Sequence, residues 1–254
     1  MRLRRLLRRR SLREAEHKFV IEGSRAVESA LTAGVELEAI YFERSSNELA
    51  TKVLDLADQI GYRSYEVLPG TLERAADSVS PQSIVAIASY VDVEIGNLKP
   101  ESYVVVMAGV RDPGNAGTII RTSLAAGASA VILCDQCVDI YNPKTVRSSA
   151  GALFTIPIAV ADSFSEVHRF LKSKGYVVVG TSSHAKTSYW ELELTGKVAV
   201  VLGNEGSGLN VSYSELVDNS ITIPIDPRAE SLNVGVAGSV LMFEAMRQRL
   251  NSGR

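Results

Sequence analysis

Residues 103–133 read YVVVMAGVRDPGNAGTIIRTSLAAGASAVIL: an apolar run, a Pro-Gly-Asn-Ala-Gly loop, and a helix with one arginine, Arg121, in its second turn. A run so uniformly apolar fits a strand covered on both faces, as in a parallel sheet. Open α/β sheets build their sites at the carboxyl ends of such strands. Asp112, Asn115 and Arg121 are expected to converge there. Two similar loops follow, each after its own apolar strand: LGNEGSGLN at 202–210 and IPIDPRAESLNVGVA at 223–237.

Outward from this segment, strands are expected at 103–110, 130–134, 176–181, 198–202 and 220–225, with helices between them. A last helix is expected over 234–250, where Val236, Val240, Phe243, Met246 and Leu250 keep helical spacing. Upstream, GNLKPES at 96–102 is polar, holds Gly and Pro, and reads as a linker. Residues 1–95 form their own alternation: FVIEGSRAVESALTAG as strand then helix ending at Gly34, a strand at 37–42, and a helix at 48–60 stopped by Gly61. A strand at 65–67, a short helix from Pro69-Gly70 through Asp77 and a final strand in SIVAIASYVDV complete it. The pattern predicts a layered α/β protein of two domains, 1–95 and 103–254.

The chain has 254 residues, 46% hydrophobic and 22% charged, with a formal net charge of −2. That excludes a uniformly basic coat. Positive charge is instead concentrated in an N-terminal arm holding Arg2, Arg4, Arg5, Arg8, Arg9 and Arg10. The arm reads either as a phosphate-contacting element or as a solubilising tail. No apolar run reaches the roughly 18 residues of a membrane span. No secretory signal follows the arginines, and Glu14, Glu16 and Glu22 come too soon for a transit peptide. Two cysteines without a signal place the chain in the cytoplasm. Cys134 and Cys137 form one C-x-x-C pair, and His17, His168 and His184 lack ligand spacing, so no metal is expected.

Common phosphate and nucleophile motifs are absent. There is no G-x-x-x-x-G-K-[ST], no G-x-G-x-x-G after a first strand, and no G-x-S-x-G. The glycine-rich turns leave a site of main-chain donors and acceptors, which suits a small planar ligand. Arg121 can fork a phosphate bidentately, or be a solvated helix-face arginine. Asn115 reads equally as a helix N-cap, Glu205 as a solvent-facing acid, and Ser231 and Asn233 as turn residues.

Taken in order, DPGNAGTIIRT, VDIYNPKTVRSSAGAL, VVLGNEGSGL and IPIDPRAESLNVGVA resemble the SpoU (TrmH-type) branch of the SPOUT RNA methyltransferases. The resemblance covers nearly all of 103–250. It implies a C-terminal α/β domain threaded into a deep trefoil knot, S-adenosylmethionine as methyl donor, a ribose 2′-hydroxyl of RNA as acceptor, and a homodimer. It matches Arg121 to the catalytic arginine, with Asn115, Glu205, Ser231 and Asn233 as the polar set. Thr181, Ser182, Gly203, Ile223 and Leu232 fall where the donor is held. The first domain resembles the ribosomal-protein-like RNA-binding unit of rRNA-modifying members. Arg4, Arg5, Arg8, Arg9, Arg10, Lys144 and Arg147 are then candidates for RNA contact. The expected substrate is large-subunit (23S) ribosomal RNA. A tRNA methyltransferase and a non-catalytic RNA-binding or assembly protein are the alternatives. One departure is visible: Gly235 stands where the family's third motif commonly has a second serine.

Overall fold

In a computed structural model, residues 2–44, 47–76, 82–204, 209 and 211–253 are described. They form two compact units, 1–91 with 139–155, and 92–138 with 156–254.

The first unit begins with two helices, α1 (Arg2–Arg8) and α2 (Arg10–Glu16). They were not expected of an arginine arm. Leu3, Leu6 and Leu7 repeat at three and four residues, and all three are buried against Val20, Val85, Ile87 and Leu72. The arm is therefore an amphipathic helix docked on a sheet, with arginines filling its outer face. Then come β1 (Lys18–Glu22), α3 (Ser24–Thr32), β2 (Leu37–Phe42), α4 (Glu48–Ile60), β3 (Ser64–Glu66), α5 (Thr71–Ala76) and β4 (Ile84–Ser89). The sheet order is β1-β4-β2-β3, antiparallel except for β2 with β3. Helix α4 runs over the expected residues because Asn47 caps it, accepting the Leu49 N–H at 3.0 Å, and Gly61 ends it at φ 95°.

Segment 139–155 completes this unit. Its helix, Pro143–Ser148, packs on β1. Tyr141 stacks on Tyr90 at 3.7 Å between ring centroids and meets Phe19 at 4.7 Å. The Tyr141 hydroxyl accepts the Val91 N–H at 2.7 Å. Arg13 lies inside, donating to Asp139 at 2.5 Å and to the Leu6 carbonyl at 2.6 Å. Its side chain is 4% exposed and that of Asp139 10%.

The second unit holds β5 (Val104–Ala108), α6 (Pro113–Ala125) and β6 (Ala130–Cys134). The Pro143–Ser148 helix is α7. After it come β7 (Ile158–Val160), α8 (Phe164–Ser173), β8 (Val177–Thr181), β9 (Thr187–Ser188), β10 (Val198–Leu202), α9 (Val211–Ser214), β11 (Asn219–Thr222) and α10 (Val234–Asn251). Seven parallel strands follow the order β7-β6-β5-β10-β8-β11-β9. β10 is inserted between β5 and β8, and β11 between β8 and β9, strands laid down earlier in the chain. Alternate residues Val104, Val106, Ile132, Val178 and Val201 form one core with Phe164, Val167 and Leu171 of α8. The region expected as a linker contributes to it, because Ile95–Asn97 makes a 3-10 turn and Leu98 is buried.

The last helix presents a different face from the expected one. Val234, Gly235, Gly238, Leu241, Met242 and Ala245 are buried, while Val236, Phe243 and Leu250 are exposed at 51%, 51% and 67%. Both faces are apolar, so helical spacing alone could not say which one turns inward. No described helix is long and apolar enough to cross a membrane.

Removing Asp139 strands a buried guanidinium, which costs about 3–5 kcal/mol. Urea unfolding of Asp139→Ala is expected to show a loss of that size, whereas Arg4→Ala, on the exposed face, is expected to change stability little.

Candidate active site

The loop after β5 sits at the carboxyl edge of the seven-stranded sheet. Gly109 turns the chain at φ 73°, where a side chain would be strained. Asp112, not Asn115, caps α6, its carboxylate accepting the Asn115 N–H at 2.8 Å. Pro113 takes the first helical position, where no N–H is needed. Helix α6 therefore starts earlier than expected, and Arg121 falls in its third turn. Arg121 is exposed on that helix.

Asn115 is held from its side-chain oxygen, which accepts Asn233 Nδ2 at 2.9 Å. Asn233 in turn caps α10, its Oδ1 accepting the Gly235 and Val236 N–H groups at 2.9 and 3.2 Å. One amide thus binds the first loop to the third. Further along the same contact, Thr122 and Ser239 hydroxyls lie 3.3 Å apart and Ser123 meets the Met242 sulfur at 3.2 Å. A Cβ on Gly238 would stand 2.7 Å from a Leu202 methyl and 3.7 Å from Ile119. Glycine there lets α10 sit against both β10 and α6. A Cβ on Gly235 would meet Asn233 Oδ1 at 3.1 Å and Thr118 Cγ2 at 3.4 Å. Glycine in place of the common serine thus keeps the cap uncrowded.

The remaining expected residues line the same edge. Thr181 ends β8, its hydroxyl donating to the Val201 carbonyl at 3.0 Å. The Ser182 N–H donates to Ile221 at 3.0 Å, and its hydroxyl accepts the His184 N–H at 3.2 Å. Gly203 follows β10 and is buried; Ile223 follows β11 and is half-buried. Ser231, Leu232 and Asn233 are exposed in the loop before α10, Leu232 at 37%. Glu205 lies outside the described residues. The structure joins Asn115 to Asn233, and sets Thr181, Gly203 and Ile223 at the ends of neighbouring strands; among the described residues no hydrogen bond ties Arg121 or Ser231 to them.

Sequence reasoning passed over Asn204, whose Nδ2 donates to the Gly109 carbonyl at 2.8 Å and so ties the second loop to the first. It also missed Asp135 and Gln136, consecutive non-glycine residues at φ 57° between β6 and the next turn. Such backbone is costly and gathers near functional sites. Cys134 and Cys137 flank them. Burial pushes the Cys134 thiol up strongly and that of Cys137 to about 11, so both stay protonated at neutral pH. Among the described residues no group of His, Cys, Asp and Glu could hold a metal ion.

In the first unit, Arg4, Arg5, Arg8, Arg9, Arg10 and Lys144 are exposed. Arg10 bonds Glu14 at 2.7 Å, and Arg147 pairs at 3.2 Å with Glu22.

Comparison with known proteins adds the following. Residues 102–243 match the SpoU rRNA Methylase family, and residues 1–86 match the MRM3-like substrate binding domain. The chain is 32% identical over 234 residues to the 23S rRNA (guanosine(2553)-2'-O)-methyltransferase RlmP of Bacillus subtilis, covering 91% of this chain and 89% of the relative. It is similar to the SpoU methyltransferase AviRb from Streptomyces viridochromogenes in complex with the cofactor AdoMet, at TM-score 0.88 and 27% identity, over 98% and 96% of the two chains. It is likewise similar to an AdoMet-bound rRNA methyltransferase from Sinorhizobium meliloti, at TM-score 0.86 and 29% identity, over 96% and 92%.

Two substitutions separate the roles of Asn233. Asn233→Ala is expected to cost about 1 kcal/mol in thermal or urea unfolding through loss of the cap. Asn233→Asp keeps the capping oxygen and is expected to recover most of that loss while still lacking the donor to Asn115.

Proposed function

The chain belongs to the SpoU rRNA methylase family, and on that premise we propose that it transfers a methyl group from S-adenosylmethionine to a ribose 2′-hydroxyl of large-subunit ribosomal RNA. The observation that carries this reading is the single edge on which the three family loops meet, tied by Asn233 to Asn115 and by Asn204 to Gly109. The family match over 102–243 and the relatives named for 23S rRNA support the substrate class.

The donor set fits S-adenosylmethionine. Thr181, Ser182, Gly203, Ile223 and Leu232 offer main-chain groups, small hydroxyls and apolar surface, with no charged side chain among them. That combination holds a heterocycle and ribose through backbone bonds. When bound, S-adenosylmethionine supplies a methyl carried on a sulfonium. Arg121 is assigned the RNA phosphate or acceptor hydroxyl, which its planar fork can fix in direction. Asn115, its amide set by Asn233, orients the acceptor beside it. Ser231 and Glu205 complete the polar set. Most of the rate gain comes from alignment of the hydroxyl, not from a strong base. The guanidinium of Arg121 is already protonated and has no acceptor, so the hydroxyl proton passes to an RNA phosphate oxygen or to water.

Residues 1–91 with 139–155 are assigned to RNA recognition, and 92–138 with 156–254 to chemistry. Arg4, Arg5, Arg8, Arg9, Arg10, Lys144 and Arg147 would contact phosphates without reading sequence. Late insertion of β10 and β11 between earlier strands supports the trefoil knot. The exposed row Val236, Phe243 and Leu250 on α10, with half-buried Val240 between, supports a homodimer, since contiguous apolar surface of this kind marks an interface. A cytoplasmic setting agrees with the free cysteines.

Arg121→Ala is expected to lower tritiated-methyl incorporation into deproteinised large-subunit rRNA by roughly 100-fold, and near-wild-type incorporation would sink the assignment. Phe243→Glu is expected to shift the mass measured by light scattering from two chains to one.

A further inference from the structure

Between β8 and β10 the chain makes an excursion whose residues after Ser182, 183–197, the site described above does not use. We propose that Trp190, backed by Tyr189, is a stacking platform for an unpaired base of the RNA substrate, displaced along the strand from the methylated nucleotide. The proposal rests on the RNA methyltransferase reading and names a contact of that same edge.

The turn that presents Trp190 is firmly built. The Glu191 N–H donates to the Ser188 carbonyl at 3.0 Å, so Tyr189 and Trp190 occupy the two central positions of a β-turn. The Glu191 carboxylate accepts the Ser188 N–H at 2.7 Å, closing the turn a second time. Tyr189 donates its N–H to the Thr222 carbonyl at 2.9 Å, fastening the turn to the end of β11. Farther along, Gln248 of α10 bonds the Leu192 carbonyl at 3.1 Å and the Leu194 N–H at 2.8 Å, and Leu194 is fully buried. On this anchored turn Trp190 is 52% exposed, with Tyr189 edge-to-face behind it at 4.9 Å.

Direction places it on the working edge. β9 runs parallel to β11, so residues following β9 emerge at the same carboxyl edge as Thr181, Gly203 and Ile223. β9 neighbours β11, which leads into Ile223. It lies four strands from β5, about 19 Å at the usual spacing. A base on Trp190 would therefore lie several nucleotides from the acceptor.

The chemistry favours a base over a phosphate. Lys186 precedes the turn, Glu191 and Glu193 follow it, and Arg247 of α10, near Tyr189, is paired with Glu244 at 2.7 Å. A rigid, half-exposed indole instead offers a π-face, and every unpaired base can stack on it.

Trp190 is the chain's one tryptophan, so its emission reports on this position alone. Full-length protein would be titrated separately with deproteinised large-subunit rRNA, with single-stranded oligo(A) RNA and with S-adenosylmethionine, and diluted without ligand. Quenching by both RNAs, with no response to S-adenosylmethionine or dilution, is expected. Trp190→Ala is expected to raise KM for rRNA by roughly 5- to 100-fold with a much smaller effect on kcat, and Trp190→Phe to restore most of the affinity. Emission that ignores RNA the wild type methylates would overturn the platform and leave the methyltransferase reading intact. Emission that follows protein concentration would assign Trp190 to a second copy, and a response to S-adenosylmethionine alone would assign it to the donor; either overturns the proposal. Wild-type protein that neither binds nor methylates RNA overturns both readings.

Discussion

The carboxyl edge of the second unit depends on how closely α10 can approach α6 and β10. At Gly238 the missing side chain leaves room for a Leu202 methyl that would otherwise stand 2.7 Å from a Cβ. Interiors are packed densely enough that one extra carbon there must displace a strand residue or a helix. The approach lets the start of α10 reach the start of α6, so that Asn233 can bond Asn115 while capping its own helix. A cap usually stabilises one element. Here the same amide also sets the orientation of a residue in the first loop, so local helix geometry and site geometry are coupled.

The strands were legible because burial on both faces writes itself as unbroken apolar runs: 130–134 and 198–202 lie where the sequence places them. Helix 48–60 was legible through its caps, Asn47 and Gly61. The inward face of α10 was not, because a helix apolar on two sides has no single stripe. The N-terminal helices were hidden by composition. Arginine so dominated residues 2–10 that the Leu3, Leu6, Leu7 spacing beneath it went unread.

The site was legible in its motifs and not in its bonds. Gly203, Ile223 and Thr181 could be placed at strand ends from sequence, since each follows a readable apolar run. In sequence Asn115 reads as a site residue or equally as a cap, because Asn often is one; Asp112 holds the capping role and releases the Asn115 side chain to face Asn233. Asn204 stood inside a quoted loop, but its bond to Gly109 joins residues 95 positions apart, beyond any local pattern. The placement of 139–155 with the first unit is of the same kind: Tyr141 and Asp139 find partners 50 and 126 residues away.

Arginine in the N-terminal helices shows how one residue type is sorted by periodicity. Arg13 turns inward, where its charge is matched by Asp139 and its remaining donors by the Leu6 and Leu7 carbonyls. A buried pair of this kind adds little net stability, because desolvation of both ions offsets their attraction. What it does is forbid sliding of α2 against segment 139–155, since any other register would leave a charge unpaired. Arg2 is drawn sideways to Glu16 and Glu38. Arg4, Arg5, Arg8 and Arg9 are left on the outer face, where charge is cheap to keep hydrated. Under the proposed reading these are the residues that meet phosphate, and they can do so without weakening the fold, because its stability rests on the leucines beneath them and its register on Arg13.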